Sequence, residues 1–424
     1  MGSCPYLGCM STFHALSLIA CTLPVLVAGQ SCTYDYVTRQ FDVRVESDVF
    51  YGTAVRYDGG VDSLRMNIFK PVGDDVLARP VIVAIHGGAF IGGHRNEMNT
   101  ICSWYAERGY VAVTVSYRLG FHPPALLPNP YAYDQAEVIR AAYRAQQDVK
   151  GAIRYLRGRS GTDSSDVANI SVMGVSAGGI TALHVAYATD EAEKPVSCEA
   201  TGAVNQFLAQ YPRPDLGPVN GDLHVGVDAT VNACVSYFGG ILDTAMIGSA
   251  DDPALFTYHQ TGDPVVGCGH QQGLWGMPLG IGGNYPWLFG SCAMDPYVGS
   301  LGFSDMRYEF HPYTGNAHDI HDLPLVDGWA AEFLARQFCS PITGLAIAGS
   351  APEPLVFPNP ASDRINVTVP APALSQLILH ALDGRIVARA TGGSMAVEQL
   401  DAGHYLLDIR TEAGHWTRPV VISR

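Results

Sequence analysis

Ser176 stands in Gly174-Val175-Ser176-Ala177-Gly178-Gly179, a G-x-S-x-G pattern that follows the apolar run Ile170 to Met173 and precedes the helical run Ile180 to Ala188. A strand turning sharply into a helix forces the serine into a strained conformation that lifts its hydroxyl above a sheet, and the glycines remove side chains that would collide. Such a hydroxyl is a nucleophile, and the helix N-terminus behind it offers N–H groups to developing negative charge. The bland alternative is a Gly-rich turn that happens to contain Ser. Strand before and helix after favour the chemical reading.

Upstream, His86-Gly87-Gly88-Ala89-Phe90 follows the apolar run Val81 to Ile85. Two successive glycines let the backbone turn its amides toward the nucleophile. The N–H groups of Gly88 and Ala89, with that of Ala177, are the expected oxyanion hole, a contribution of about 3 kcal/mol to the barrier per donor. Read blandly, this is a turn between strand and helix, but two independent motifs occur in the order the chemistry needs.

With these residues the chain resembles the α/β-hydrolase esterases of the hormone-sensitive-lipase and carboxylesterase type, secreted bacterial feruloyl and acetylxylan esterases among them. The resemblance covers roughly Val43 to Phe338 and rests on HGGAF (His86 to Phe90), GYVAVTVSYRLG (Gly109 to Gly120), QDVKGAIRYLR (Gln147 to Arg157) and GVSAGG (Gly174 to Gly179). It implies hydrolysis of a carboxylic ester with no metal or organic cofactor, and a triad in the order Ser, acid, His. Asp263, in the stretch Phe256 to Val266, matches the family's strand-end phrase HG-x-x-D-x-x-V, with Gln260 where the family usually has Gly. Asp295 is the rival acid, and for either the bland role is a turn-capping carboxylate. His318 in Gly315-Asn316-Ala317-His318 falls where the family's G-x-x-H base does. His321 follows closely, and the pair suggests a metal, but a catalytic zinc site needs a third ligand that nothing here specifies.

The elements that must hold these residues read as a mostly parallel sheet covered on both faces. Val81 to Ile85, Val111 to Val115, Ile170 to Met173, Val231 to Tyr237 and Arg307 to Phe310 are its strands. Gln147 to Leu156 spaces Val149, Ile153 and Leu156 for one helix face, and Trp329 to Phe338 is the helix expected to close the domain. After Cys339 the texture changes. Ser340 to Pro360 is rich in Pro, Gly, Ala and Ser, and beyond it apolar residues alternate with period two, as in Ile365, Val367 and Val369 or Tyr405, Leu407 and Ile409. Turn signals such as Asp383-Gly384 separate these runs, so the end reads as a small all-β sandwich. The resulting division is residues 1–29 as a signal peptide, 30–340 as the α/β-hydrolase domain, 341–353 as a linker and 354–424 as the sandwich.

That sandwich resembles the sorting tails of the type IX secretion system, on Phe357-Pro358-Asn359-Pro360-Ala361, Leu400-Asp401-Ala402-Gly403-His404-Tyr405 and the basic end Val420 to Arg424. The resemblance implies export across the outer membrane of a Gram-negative bacterium, with secretion machinery as a partner. A carbohydrate-binding module competes, but Tyr405 and Trp416 are few aromatics for a sugar platform. At the other end, the nearly uncharged run Phe13 to Gly29 reads as an export signal, too short for a membrane span of about 20 apolar residues. Leu18-Ile19-Ala20-Cys21 also resembles a lipoprotein box, ranked second because the apolar run continues past it. The expected location is secreted or cell-surface, with no transmembrane segment.

Beyond Gly29 lie Cys32, Cys102, Cys198, Cys234, Cys268, Cys292 and Cys339, with no C-x-x-C spacing, so disulfides are favoured over zinc. The pair Cys268 and Cys292 brackets one Gly-rich loop and is the leading pairing. Of the 424 residues 47% are hydrophobic and 15% charged, a composition that disfavours disorder, and the net charge of -15 disfavours nucleic acid as a partner.

The same loop, Gly267 to Met294, carries Trp275, Tyr285, Trp287 and Phe289 between the acid and the base. These aromatics either stack on a feruloyl ring, a sugar or an aromatic polyester, or pack a local core under a disulfide. Cys198 to Asp228 is a second excursion and a candidate cap. Three functions compete: an esterase acting on feruloyl or acetyl esters or on aromatic polyesters such as PET, a serine peptidase of the same fold, and a non-catalytic hydrolase fold that binds. The peptidase lacks a visible propeller or amine anchor, and intact Ser176 and HGGAF count against the binding protein.

Overall fold

The computed structural model describes residues 32, 34–73, 75–207, 209–339, 354–368, 374–381, 385–411 and 414–424. The expected signal peptide and linker, along with Val369 and the Asp383-Gly384 turn, lie outside them.

In the larger region the chain runs β1 (Asp42–Val55), β2 (Val61–Val72), β3 (Arg79–Ile85), α1 (Asn99–Glu107), β4 (Val111–Val115), α2 (Gln135–Gly158), β5 (Ser165–Val175), α3 (Ala177–Tyr187), β6 (Ala233–Tyr237), β7 (Ala254–Gln260), α4 (Ser291–Ser300), β8 (Tyr308–Tyr313) and α5 (Leu323–Phe338). The eight strands form one sheet in the order β1-β2-β4-β3-β5-β6-β7-β8. From β4 onward every pairing is parallel, whereas β1 pairs with β2 and β2 with β4 in antiparallel fashion. This β1–β2 edge falls outside the strands that the sequence predicts. Along β1 only Tyr51 is buried, and the strand carries no long apolar run.

Period-two alternation sorts the central strands onto two cores. Val81, Val83 and Ile85 of β3 belong to one core, with Val149 and Ile153 of α2, Ile180 of α3 and Met294 of α4. Ile82 and Ala84 belong to the other, with Tyr105 of α1 and Phe333 of α5. All seven residues of β3 are buried, which is why the strand reads as a continuous apolar run. The Asp134 side chain caps α2 by accepting from the Glu137 amide at 3.1 Å, and Asp322 caps α5 in the same way.

Two disulfides brace the region. Cys268–Cys292 closes the Gly-rich loop, and Cys32–Cys339 ties the segment before β1 to the end of α5. Cys102, Cys198 and Cys234 are buried free thiols, and burial raises the Cys198 thiol to about 12.

Residues beyond 354 form β9 (Leu355–Phe357), β10 (Arg364–Thr368), β11 (Leu374–Ala381), β12 (Ile386–Ala390), β13 (Ser394–Ala396), β14 (Gly403–Thr411) and β15 (Gly414–Ile422). A three-stranded sheet, β9-β10-β13, and a four-stranded sheet, β12-β11-β14-β15, share a core of Ile365, Val367, Leu377, Leu379, Leu407, Ile409, Val420 and Ile422. The alternate residues of these strands supply that core, as the period-two pattern requires.

Candidate active site

Ser176 is the residue between β5 and α3. Its backbone has φ 55 and ψ -122, a left-handed conformation disfavoured for any residue with a side chain. The turn exists because chain segments pass almost in contact: a Cβ on Gly178 would lie 2.1 Å from the Ile85 carbonyl oxygen. The Ser176 amide is held by the Tyr237 carbonyl at 3.0 Å, so the side chain projects from a fixed base.

His318 arrives from the loop after β8 with its Nε2 2.7 Å from Ser176 Oγ. Its Nδ1 lies 2.7 Å from Asp263 Oδ2, beyond the end of β7. Phe238 meets the imidazole edge-on at 4.7 Å between ring centroids. Asp263 is fully buried. Burial opposes its ionisation, yet hydrogen bonds from His259 and His318, the charge of His318 and the Val265 amide outweigh that penalty and hold its pKa below the usual value. The amides of Val265 and Val266 donate to Oδ1 at 2.8 and 3.2 Å, which leaves Oδ2 for the imidazole.

The second loop supplies the donors. Gly88, Ala89 and Phe90 have φ of 110, 52 and 62, a run of left-handed residues that turns successive amides outward. A Cβ on Gly88 would sit 2.2 Å from the Gly92 carbonyl oxygen, so only glycine closes this turn. Among the described residues the amides of Gly88, Ala89 and Ala177 donate to no protein acceptor. His86 braces the loop from below. Its ring stacks on Tyr117 at 4.4 Å, and the Tyr117 hydroxyl donates to the His86 carbonyl at 2.9 Å. Burial lowers the His86 pKa and so favours the neutral ring.

A small apolar cavity opens beside Ser176. Ile139 of α2, Ile180 of α3, Val266, Leu274 and Tyr285 line it, and its side-chain lining is apolar apart from the Ser176 hydroxyl and the Tyr285 phenol. That phenol is engaged elsewhere, donating to the Pro130 carbonyl at 2.8 Å.

The remaining sequence candidates fall in different places. Asp295, the rival acid, lies on α4 and accepts from the Tyr308 hydroxyl at 3.0 Å. His321 stacks on Tyr313 at 3.9 Å and bonds the Tyr258 hydroxyl at 2.8 Å, and no group of three metal-ligating side chains exists among the described residues. Of the loop's four aromatics, Tyr285 is 4% exposed and lines the cavity, whereas Trp275 and Trp287 are 47% and 50% exposed and, like Phe289, are not in its lining. The excursion Cys198 to Asp228, a candidate cap, contributes no lining residue. It packs instead on α2, where Arg140 and Gln147 donate to the carbonyls of Glu199 and Leu216.

Sequence reasoning missed the supports of the acid. The Trp275 indole nitrogen donates to the Asp263 carbonyl at 2.8 Å, and the amides of Gly276 and Leu274 donate to the next two carbonyls, Pro264 and Val265. Beneath it, buried His259 bonds the Val266 carbonyl at 2.7 Å and Ser291 Oγ at 3.1 Å. A histidine four residues before the candidate acid is the signal the sequence offers for it.

Residues 66–274 match the BD-FAE family profile, a span that includes Ser176 and Asp263 and ends before His318. Residues 355–423 match the secretion system C-terminal sorting domain. Among curated proteins, the para-nitrobenzyl esterase of Bacillus subtilis is 32% identical over 28% of this chain and 23% of its own length. Venom carboxylesterase-6 of Apis mellifera is 28% identical over 31% of this chain and 22% of its own. The chain thus spans about a quarter of the length of the curated relatives it matches. Among solved structures, Thermogutta terrifontis esterase 2 superposes with a TM-score of 0.45 at 19% identity, covering 70% of this chain and 96% of that one. No helix among the described residues is long and apolar enough to cross a membrane. Residues 66–274 form a BD-FAE domain of the α/β-hydrolase esterase family, and residues 355–423 form a secretion system C-terminal sorting domain.

Proposed function

We propose that the protein hydrolyses carboxylic esters through an acyl-enzyme on Ser176. The observation that carries this reading is the unbroken chain of short contacts from Ser176 Oγ through His318 to Asp263. In this reading His318 Nε2 takes the Ser176 proton as Oγ attacks the ester carbonyl. The free amides of Gly88, Ala89 and Ala177 receive the oxyanion, and His318 then returns the proton to the leaving alcohol. Water repeats the sequence on the acyl-enzyme. Asp263 keeps the imidazole in one tautomer and stabilises its charged form.

The apolar cavity supports an acyl group that brings few polar atoms with it. A sugar ring placed there would lose its water and find no partners, at a cost of about 1–3 kcal/mol per hydroxyl. Any polysaccharide part of a substrate therefore belongs on the alcohol side, outside the cavity. The esters we propose are feruloyl or acetyl side chains of plant polymers, or aromatic polyesters such as PET, with Tyr285 against the acyl group. Export begins in this proposal with the N-terminal signal at residues 1–29, and the tail beyond the 341–353 linker takes no part in turnover.

The test is hydrolysis of p-nitrophenyl acetate and butyrate by the wild type, by Ser176→Ala and by a chain ending at Cys339. The wild type and the shortened chain should turn over at the same rate, with butyrate preferred, and the alanine variant should be inactive. Equal rates for wild type and Ser176→Ala reject the reading.

A further inference from the structure

Gln260 is the last residue of β7 and is buried. Its side chain reaches the loop that carries His318 and holds it on both sides. Nε2 donates to the Asp319 carbonyl at 2.9 Å, and Oε1 accepts from the Ala317 amide at 3.0 Å. The two residues bonded by this one amide are the chain neighbours of the base. Its own carbonyl accepts from the Asp263 amide at 3.2 Å, so the same residue also fixes the start of the acid's turn. The two loops are further joined by Gly262 N to Gly315 O at 2.8 Å. They lie so close that a Cβ on Gly315 would fall 2.1 Å from Gln260 Oε1.

We propose that Gln260 is a positioning residue that sets the base against the acid and the nucleophile. This rests on the reading of Ser176, His318 and Asp263 as a triad. His318 sits on irregular chain between β8 and α5, where no helix or strand ladder fixes it. The imidazole must nevertheless satisfy two 2.7 Å contacts at once. An amide is the side chain that supplies both a donor and an acceptor from one rigid plane, which glycine at this position cannot do. Loss of that clamp lets the loop drift, and a shift of about 1 Å in a reacting group costs on the order of a hundredfold in rate.

The experiment compares wild type with Gln260→Met, which keeps length and loses both bonds, and Gln260→Glu, which keeps the acceptor for Ala317 and loses the donor to Asp319. The first reading is kcat and KM for p-nitrophenyl butyrate, well below each variant's Tm. The second is the strongly downfield proton NMR signal of the His318 Nδ1–H held by Asp263. In Gln260→Met kcat should fall roughly tenfold or more with KM changed by less than about twofold, and Gln260→Glu should fall between. The downfield signal should be lost in the methionine variant. If Gln260→Met turns over like wild type, or keeps that signal unchanged, the proposal is overturned. Should the methionine variant not fold, the same two readings on Gln260→Glu decide. Because the signal reports the His318–Asp263 pair without turnover, an inactive wild type would refute the esterase reading and still leave this one open to test.

Discussion

The indole Nε1 of Trp275 donates a hydrogen bond of 2.8 Å to the main-chain carbonyl of Asp263. A half-exposed tryptophan in a loop beside an active site invites a role in stacking on substrate. Its nitrogen is instead committed to the turn that carries the acid, and the two roles predict different kinetics. Trp275→Phe keeps the ring and removes the N–H. If the bond steadies Asp263, kcat should drop about fivefold and KM should stay within about twofold, the scale of one lost neutral hydrogen bond. A raised KM at unchanged kcat would return Trp275 to the substrate.

His318 and His321 are separated by two residues and have different partners. His318→Ala should lower kcat/KM by roughly a thousandfold or more, since it removes the proton carrier. His321→Ala removes a stack on Tyr313 and a bond to Tyr258, so its effect should appear in Tm and leave most of the activity. Steady-state rates and thermal unfolding of the two variants separate these outcomes. Comparable losses of activity, with inhibition by a chelator, would reopen a metal site.

Lys150 of α2 is 1% exposed and bonds Asn220 Oδ1 at 2.9 Å. Burial, with Arg154 beside it, lowers its pKa to about 7. Below that value both folded and unfolded chains hold the proton. Between it and the unfolded value of about 10.4, the unfolded chain holds a proton that the folded chain has shed, so this group makes stability rise with pH by up to about 1.4 kcal/mol per unit. Urea unfolding at about pH 7.5 and about pH 9 should show this rise in the wild type and a smaller one in Lys150→Met. Parallel pH dependences for the two proteins would contradict it.

The central parallel strands were legible because burial on both faces writes itself as unbroken apolar runs, as in Val81 to Ile85. The G-x-S-x-G and HGG turns were legible because their conformations admit only small residues. The edge strand β1 was not, since it lies open to solvent and carries no such run, and the pairing of Cys32 with Cys339 joins residues that only the closed fold brings together. The braces of the site were the least visible. Gln260, Trp275 and His259 act through single bonds to carbonyls and amides, which depend on where loops pass and leave no periodic trace.

The most direct measurement is covalent labelling of the folded protein with a fluorophosphonate, followed by peptide mass spectrometry. The account predicts one adduct per chain, on the peptide bearing Ser176, formed rapidly in the wild type and lost or greatly slowed in His318→Ala. A protein that takes up no label, or takes it up at another serine, would contradict it.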